Sequence, residues 1–142
     1  MHKRSPIATY HSSIKWSIIT QLFEEFKLPS VCRTLDIATG RGGDMNKLFS
    51  RPEINYVLGI DIDADAIAEA RRRWETRKGM ETKSLDLMVG DVSQSRTLDA
   101  ISQHTDQIFQ LICCHFAIHY FFKNEETLST VVRLFQQLAE KN

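Results

Sequence analysis

The 142-residue sequence has few cysteines and lacks any long hydrophobic run. Its cysteines, Cys32, Cys113 and Cys114, are odd in number and include no Cys-x-x-Cys pair, which argues against a disulfide framework or a metal site such as zinc. No apolar stretch has the length of a membrane span, and the basic start at 1–6 lacks the apolar segment of a signal peptide. We therefore expect an intracellular protein with buried thiols, no metal and no membrane partner.

An excess of charge of one sign is also absent, because 18 Lys and Arg residues balance 18 Asp and Glu residues. A neutral chain argues against a broad, non-specific grip on nucleic acid, but it is compatible with recognition of one base or of an RNA end. Hydrophobic residues make up 42% of the chain, and the length fits one domain over 1–142. This composition is typical of a globular protein with a sizeable core.

Apolar residues along the chain follow helical and strand spacings in alternation. A helix is expected over 14–26, and its apolar stripe is predicted to consist of Ile14, Ile18, Leu22 and Phe26, with Ile19 and Phe23 alongside. Asp63 and Asn124 are predicted helix caps. Strands are expected over 31–37, 54–60, 85–89 and 107–114, and the later helices over 44–50, 64–78, 97–104 and from 125 onward.

This order predicts an α/β fold, a Rossmann-like parallel sheet with helices on both faces. Strand 107–114, which is mostly apolar, is expected to be fully buried. In such sheets ligands bind beyond the carboxyl ends of the strands. Chemistry is therefore expected in the four loops that follow the strands, at 38–44, 61–64, 90–93 and 115–122.

The first loop is rich in glycine, and Gly40 and Gly42 allow a sharp turn that brings the backbone close to a ligand. The loop departs from the dinucleotide fingerprint because Met45 stands at the third glycine position. Asp44 puts a negative charge where a pyrophosphate would sit, which suits a cation such as S-adenosylmethionine, with its ammonium and sulfonium groups. The alternative is that Asp44 is a simple helix N-cap.

Acidic residues also follow the second and third strands. Asp61 comes 21 residues after Gly40, and a carboxylate at that place can accept both ribose hydroxyls of an adenosine. Asp91 can reach an adenine amino group. The alternative for Asp61 is a capping or turn role, and for Asp91 it is an ordinary turn.

The fourth loop combines two histidines with four aromatic residues between His115 and Phe122. A histidine and aromatic rings at the edge of a cofactor site can stack on a base and read its edge. The alternative is a packed aromatic corner with one hydrogen-bonded histidine.

Three of these segments resemble one family. The segment His115-Phe116-Ala117-Ile118-His119-Tyr120 looks like the Gln-Phe-x-x-His-Tyr signature of the mRNA cap guanine-N7 methyltransferases. The segment 35–44 is similar to the family's Leu-Asp-Leu-Gly-Cys-Gly-Lys-Gly-Gly-Asp. Lys15 and the helix after it resemble the family's Asn-x-x-Lys segment. The resemblance extends from about Thr9 to the end of the chain.

The resemblance implies a class I methyltransferase with S-adenosyl-L-methionine as cofactor and the 5′ cap of mRNA as partner, methylated at guanine N7. It implies that Lys15 pairs with the methionine carboxylate and that His119 and Tyr120 hold the guanine, with no catalytic proton transfer. Other capping enzymes and RNA polymerase are candidate partners, and the location is the nucleus, or the cytoplasm for a viral enzyme. The implied cofactor-binding residues are Lys15, Ala38, Gly40, Asp44, Asp61, Asp91, His115 and Ala117.

The chain departs from the family pattern in several places. Ala38 replaces a glycine, His115 replaces a glutamine, Ala117 lacks a hydroxyl, and His11-Ser12 stands for paired asparagines. The family's sheet continues after the helix at 125–141, so we expect a fragment whose C-terminal strands are missing. The alternatives are a class I methyltransferase for a small molecule or another RNA position, and an inactive binding module that keeps the cofactor fold.

Overall fold

The computed structural model describes residues 5–139, so the basic start at 1–4 and the last residues of the expected C-terminal helix lie outside the described residues. Within 5–139, no helix is both long and apolar enough to cross a membrane. The helices are α1 Pro6–Glu25, α2 Met45–Phe49, α3 Ala64–Glu75, α4 Ser95–His104 and α5 Glu125–Leu138. The strands are β1 Cys32–Ile37, β2 Ile54–Asp61, β3 Ser84–Val89 and β4 Leu111–Cys114, and a 3₁₀ helix covers Ile118–Phe122.

The four strands form one parallel sheet in the order β3-β2-β1-β4, which confirms the predicted fold class. Its register aligns the strand ends, because Ile37 of β1 pairs with Ile60 of β2 and with Cys114 of β4. Asp61 pairs with Val89 at the end of β3. The loops after all four strands therefore meet along one edge of the sheet, which we call the carboxyl edge.

Helices cover both faces of the sheet, as predicted. Alternate strand residues point to opposite faces, so each face has its own core. One core packs α4 and α5 against Leu35, Leu58 and Ile60 of the strands. The other packs α1, α2 and α3 against Val57, Leu111 and Cys113. The three cysteines, all within the described part of the chain, form no disulfide.

Helix α1 differs from its prediction in both its start and its buried face. It begins at Pro6, where Ser5 accepts a hydrogen bond from the Ala8 N–H as an N-cap. The expected stripe is correct only in part: Leu22 packs against the core, and Ile19 and Phe23, predicted alongside it, are buried. Ile18 is 43% exposed and Phe26 lies exposed beyond the helix, so these two are wrong. Apolar residues lie on more than one side of α1, so spacing alone did not identify the side that packs against the sheet.

Strand β4 is shorter and less buried than expected. Only Leu111–Cys114 pairs with β1, and Ile112 and Cys114 are half-buried. Phe109 lies inside the expected strand, but its N–H donates to the Leu138 carbonyl beside an isolated bridge to Ala139. The apolar run therefore ends up in two different contacts, one with β1 and one with the end of α5.

The other predicted elements are found with small shifts of their ends. Asp63 caps α3 by accepting from the Asp65 and Ala66 N–H groups, and Asn124 caps α5 through the Thr127 N–H. On α5, Val131, Leu134 and Leu138 are buried in the core, whereas Val132 is 43% exposed.

Leu134 and Val132 allow a matched test of this packing. Leu134→Ala should lower the free energy of unfolding by about 2–5 kcal/mol, because it removes a fully buried side chain and leaves a cavity. Val132→Ala on the same helix should cost about 0.5 kcal/mol or less, since that site is partly exposed. Urea unfolding of both variants measures the difference. Equal losses would contradict the assigned face of α5.

Candidate functional site

The glycine loop 38–44 turns sharply at the end of β1. Ala38, Gly40 and Gly42 all have positive φ angles, of 58°, 55° and 72°. The Thr39 N–H donates to the carbonyl of Ile60, which fastens the loop to the end of β2. A Cβ on Gly42 would lie 1.6 Å from Cε of Met45, whose side chain is fully buried. Gly42 thus makes room for the methionine that stands at the third glycine position of the dinucleotide fingerprint.

Asp61 fixes the geometry of two neighbouring loops. Its Oδ2 accepts a hydrogen bond from the Gly40 N–H at 2.7 Å, and its Oδ1 accepts one from the Asp63 N–H at 2.9 Å. A carboxylate oxygen accepts more than one hydrogen bond, so both oxygens retain capacity for hydroxyl donors. Asp61 therefore orders the loops, as the turn alternative proposed, and can still bind a ribose.

Asp91 is held in a turn after β3. Its Oδ1 accepts from the N–H and the hydroxyl of Ser93, and its Oδ2 accepts from the Gln94 amide at 3.2 Å. The turn interpretation is therefore correct for the local structure. The carboxylate nevertheless lines the same cleft as Asp61, where Oδ2 has room for a further donor.

A cleft of about 640 Å³ opens at the carboxyl edge between these loops. This volume lies in the range of small-molecule and cofactor sites. Ile62 and Val92 give it apolar walls on either side of the two carboxylates. The predicted site residues that line it are Ala38, Asp61, Asp91, Ala117 and Tyr120.

Three other predicted residues form a charged cluster beside the cleft. Asp44 Oδ2 pairs with Lys15 Nζ of α1 at 2.5 Å, and Asp44 Oδ1 pairs with Lys47 Nζ at 3.1 Å. Asp44 occupies the N-cap position of α2, as the alternative predicted, but its side chain makes no capping hydrogen bond and pairs with the two lysines instead. Burial acts to raise the pKa of Asp44, but the contacts with His115, Lys15 and Lys47 outweigh it and hold the pKa below its usual range.

His115 joins this cluster without completing a hydrogen bond. Its Nδ1 lies 3.4 Å from Asp44 Oδ2, within range for an ion pair when the ring is protonated. The same atom is buried, and no described residue accepts or donates a well-aligned hydrogen bond there. The next residue, Phe116, has a φ of 61° and stacks its ring on His11 of α1 at 4.5 Å, so helix and loop close this side of the site together.

Asp36 is a buried carboxyl that the sequence did not single out as a site residue. It is 2% exposed and accepts a hydrogen bond from the Thr39 hydroxyl at 2.6 Å. Burial raises the pKa of Asp36 to about 6, and the charge of Asp44 adds to the rise. The sequence therefore places a carboxyl with a raised pKa beneath the glycine loop.

The fourth loop is open, so the packed aromatic corner is wrong. Phe121 is buried, but Phe116, Tyr120 and Phe122 are 52%, 68% and 66% exposed. Tyr120 lines the cleft, and the ring of His119, which does not line it, lies 4.0 Å from the Tyr120 ring. An exposed pair of flat rings at that place can stack on a base.

The structure thus brings the predicted residues into two adjacent groups. Sequence reasoning missed Asp36, Lys47 and His11 as neighbours of the site. Lys47 follows Asp44 by one helical turn, and that spacing was a usable signal for the pair. Nothing in the local pattern around Asp36 or His11 indicated their contacts.

A doubly covered parallel sheet with a glycine loop and acidic residues at successive strand ends is the architecture of class I methyltransferases. Solved structures agree in fold. A methyltransferase described as S-adenosylmethionine-dependent from Clostridium acetobutylicum matches with a TM-score of 0.68 at 17% identity, over 89% of this chain and 45% of that one. Magnesium protoporphyrin IX methyltransferase from Synechocystis matches with a TM-score of 0.63 at 16% identity, over 99% of this chain and 62% of that one.

The family model of the mRNA (guanine-N(7))-methyltransferase domain matches residues 3–140, so the chain belongs to this family. Among the curated relatives, mRNA cap guanine-N(7) methyltransferase 1 of Oryza sativa is 27% identical over 130 residues, which are 87% of this chain and 33% of that protein. The Arabidopsis thaliana protein of the same name is 35% identical over 98 residues, 64% of this chain and 25% of that protein. The chain spans about a third or less of these relatives.

Ala38 offers a test of the loop geometry. Its φ of 58° is a conformation that costs a residue with a Cβ about 1–2 kcal/mol. Ala38→Gly should therefore raise the free energy of unfolding by about 1 kcal/mol. Ala68→Gly, at an exposed position inside α3, is the matched control and should lower it by about 1 kcal/mol. The test is thermal and urea unfolding, and a loss of stability in both variants would contradict the loop conformation.

The raised pKa of Asp36 leads to a prediction of how the free energy of unfolding depends on pH. Its pKa of about 6 in the folded chain exceeds the ordinary 3.8, so the folded state binds the proton more tightly than the unfolded state. The contribution of this tighter proton binding to the free energy of unfolding is fully present below pH 4 and is lost as the pH rises through 6. Asp36→Asn keeps an acceptor for Thr39 and should be about 1–3 kcal/mol more stable than the parent above pH 6.

The comparison needs urea unfolding at several pH values between 4 and 8. The advantage of Asp36→Asn over the parent should shrink toward zero near pH 4. An advantage that grows as the pH falls would contradict the raised pKa. Asp44→Asn is the control with the opposite sign, because the pKa of Asp44 is lowered and its stabilisation is present at neutral pH.

Proposed function

We propose that this chain binds S-adenosylmethionine at the carboxyl edge and contributes to methyl transfer to N7 of the guanine cap of mRNA. The observation that carries the proposal is the meeting of Asp44, Asp61 and Asp91 from three separate loops around one cleft and its charged flank. A cationic cofactor favours such a concentration of carboxylates, whereas a pyrophosphate opposes it. Membership of the guanine-N7 methyltransferase family supports the same assignment.

The lining of the cleft fits the nucleoside part of this cofactor. Asp61 would accept the ribose hydroxyls with the acceptor capacity that its backbone hydrogen bonds leave. Asp91 would accept the adenine amino group. Ile62 and Val92 would supply apolar surface for the adenine ring, and Ala38 would bring backbone close to the cofactor. Gly40 would act through its N–H, which holds Asp61 in place.

The charged cluster fits the amino-acid part. Lys15 would pair with the carboxylate and Asp44 would pair with the ammonium, so the ion pair that now joins Lys15 to Asp44 would open toward the cofactor. Lys47 would remain on Asp44 and hold it in place. His115 and Ala117 would close the site from the fourth loop, where Ala117 lines the cleft.

The bound cofactor supplies an electrophilic methyl group, and the acceptor needs no base, because guanine N7 already carries an exposed lone pair. The chain's own task is to align the purine and to exclude water. His119 and Tyr120 would orient the purine by stacking and edge contacts without proton transfer. Alignment of this kind lowers a barrier by up to roughly 7–11 kcal/mol.

The proposal extends to a nuclear location and to the capped mRNA end as the partner, since the matching relatives carry the name of mRNA cap methyltransferases. Contacts with other capping enzymes or RNA polymerase stay a prediction from the family resemblance.

Variants of the fourth loop test the assignment of the acceptor. His119→Ala and Tyr120→Ala should each lower kcat/KM for a capped dinucleotide by roughly tenfold, equivalent to about 1.4 kcal/mol, because each removes a ring proposed to stack on the base. Binding of S-adenosylmethionine should be unchanged. The control is Phe122→Ala, which removes an exposed ring from the same 3₁₀ helix at a position that does not line the cleft. Methyl transfer is followed with a radiolabelled methyl group.

Near-parent rates in both variants would remove His119 and Tyr120 from the acceptor pocket. Competition separates the alternatives: a capped dinucleotide should inhibit transfer and an uncapped RNA should not. Inhibition by neither would favour a methyltransferase with another acceptor. Cofactor binding without any transfer would identify a binding module that keeps the fold.

A further inference from the structure

Cationic residues are concentrated at the end of α3 and directly after it. Arg71, Arg72, Arg73, Arg77 and Lys78 stand within eight positions, against Glu75 as the acid among them. The chain as a whole is neutral, so the charge is segregated and the rest of the chain is acidic on balance. Such a local concentration attracts anions even when the net charge is zero.

Only part of this charge is compensated. Glu69 forms ion pairs with Arg72 and Arg73 at 2.8 and 2.7 Å. Both arginines lie in the last turn of α3, where a cation is favoured by the helix dipole. Arg77 and Lys78 lie beyond the helix and form no ion pair with any residue of 5–139. The helix dipole and Glu69 therefore do not account for these two cations.

The arrangement connects these cations to the glycine loop. Arg73 Nη1 donates to the carbonyl of Arg41 at 3.2 Å, and Arg77 donates to the side-chain oxygen of Asn46 in α2. Arg41 itself is exposed. We call Arg41, Arg73, Arg77 and Lys78 the basic strip. It begins in the loop that contributes Ala38 to the cleft and continues along the junction of α2 and α3.

The charges of Arg73 and Arg77 act on each other. Burial lowers the pKa of Arg77, and the nearby charge of Arg73 lowers it further. Like charges held at short range repel each other, and an anion between them relieves the repulsion. Arginine is suited to this task, because its planar group donates two parallel hydrogen bonds to a phosphate.

We propose that the basic strip binds the sugar-phosphate backbone of the RNA that follows the methylated end. The inference rests on the proposed function, which puts the terminal guanine against His119 and Tyr120. RNA is favoured over an acidic protein because the strip starts in the glycine loop, which also contributes Ala38 to the cleft, so the RNA that follows the terminal guanine can pass from Tyr120 at the cleft to the strip. The strip takes no part in methyl transfer to the terminal guanine itself. It shares only the glycine loop with the cofactor site.

Binding of RNAs of different length to the 142-residue chain tests the proposal. A fluorescent capped 12-mer should bind more tightly than a capped dinucleotide, and its affinity should fall with salt. Arg77→Gln/Lys78→Gln should weaken the 12-mer and reduce the slope of log affinity against log salt by about 0.7 for each phosphate group that the variant no longer neutralises. The affinity of the capped dinucleotide should not change.

Two controls keep the result interpretable. Arg96→Gln/Arg133→Gln removes the same charge from α4 and α5, on the opposite face of the sheet, and should leave the 12-mer affinity and its salt slope unchanged. Arg77→Lys/Lys78→Arg keeps the charge and should restore the parent slope. A 12-mer slope in the parent no steeper than that of the dinucleotide would overturn the proposal without any variant.

The proposal would also be overturned if Arg77→Gln/Lys78→Gln and Arg96→Gln/Arg133→Gln weakened 12-mer binding equally. It would likewise be overturned if an acidic phosphopeptide of equal charge bound more tightly than the 12-mer and displaced it. An uncapped 12-mer separates this inference from the proposed function. If the strip variant weakens capped and uncapped 12-mers alike while no RNA shows dependence on the cap, the strip binds RNA and the assignment of the cap fails. If the cap is recognised but length has no effect, the strip assignment fails.

Discussion

Carboxylates of like charge crowd the carboxyl edge of the sheet, and the site depends on how each one is compensated. Asp61 and Asp91 accept hydrogen bonds from backbone N–H groups of their own and neighbouring loops. Asp44 is paired with Lys15 and Lys47. Asp36 is buried with a hydroxyl donor, and burial raises its pKa. Three carboxylates at this edge therefore have hydrogen-bond or cationic partners, and the pKa of the fourth, beneath the loop, is raised to about 6.

This distribution of charge explains why the edge suits a cation and why the loops are ordered before any ligand arrives. The hydrogen bond from Gly40 to Asp61 joins the loops after β1 and β2. The ion pair of Lys15 with Asp44 brings α1 onto the same edge. Ala38 holds a left-handed conformation in the middle of this arrangement, which shows that the loop geometry is imposed by its surroundings at a cost in backbone strain.

Most of the fold could be predicted because periodicity identifies strands and a parallel sheet puts their ends together. That rule predicted that Asp61 and Asp91 lie at one edge of the sheet, and both line the cleft at that edge. The contacts of Lys15 could not be derived from spacing, because its partner Asp44 lies 29 residues away and on another element. The buried side of α1 and the short β4 were mispredicted for the same reason: an apolar residue such as Ile18 or Phe109 fits more than one neighbour, and only the tertiary packing selects one.

A positively charged methyl donor should bind at the carboxyl edge, and titration calorimetry tests this most directly. S-adenosylmethionine, NAD and ATP are titrated separately into the 142-residue chain at neutral pH. We expect saturable, one-to-one binding of S-adenosylmethionine and its weakening in Asp61→Asn and Asp44→Asn, with no binding of the two polyphosphates. Saturable binding of NAD or ATP in the absence of any heat from S-adenosylmethionine would contradict a cation site at this edge.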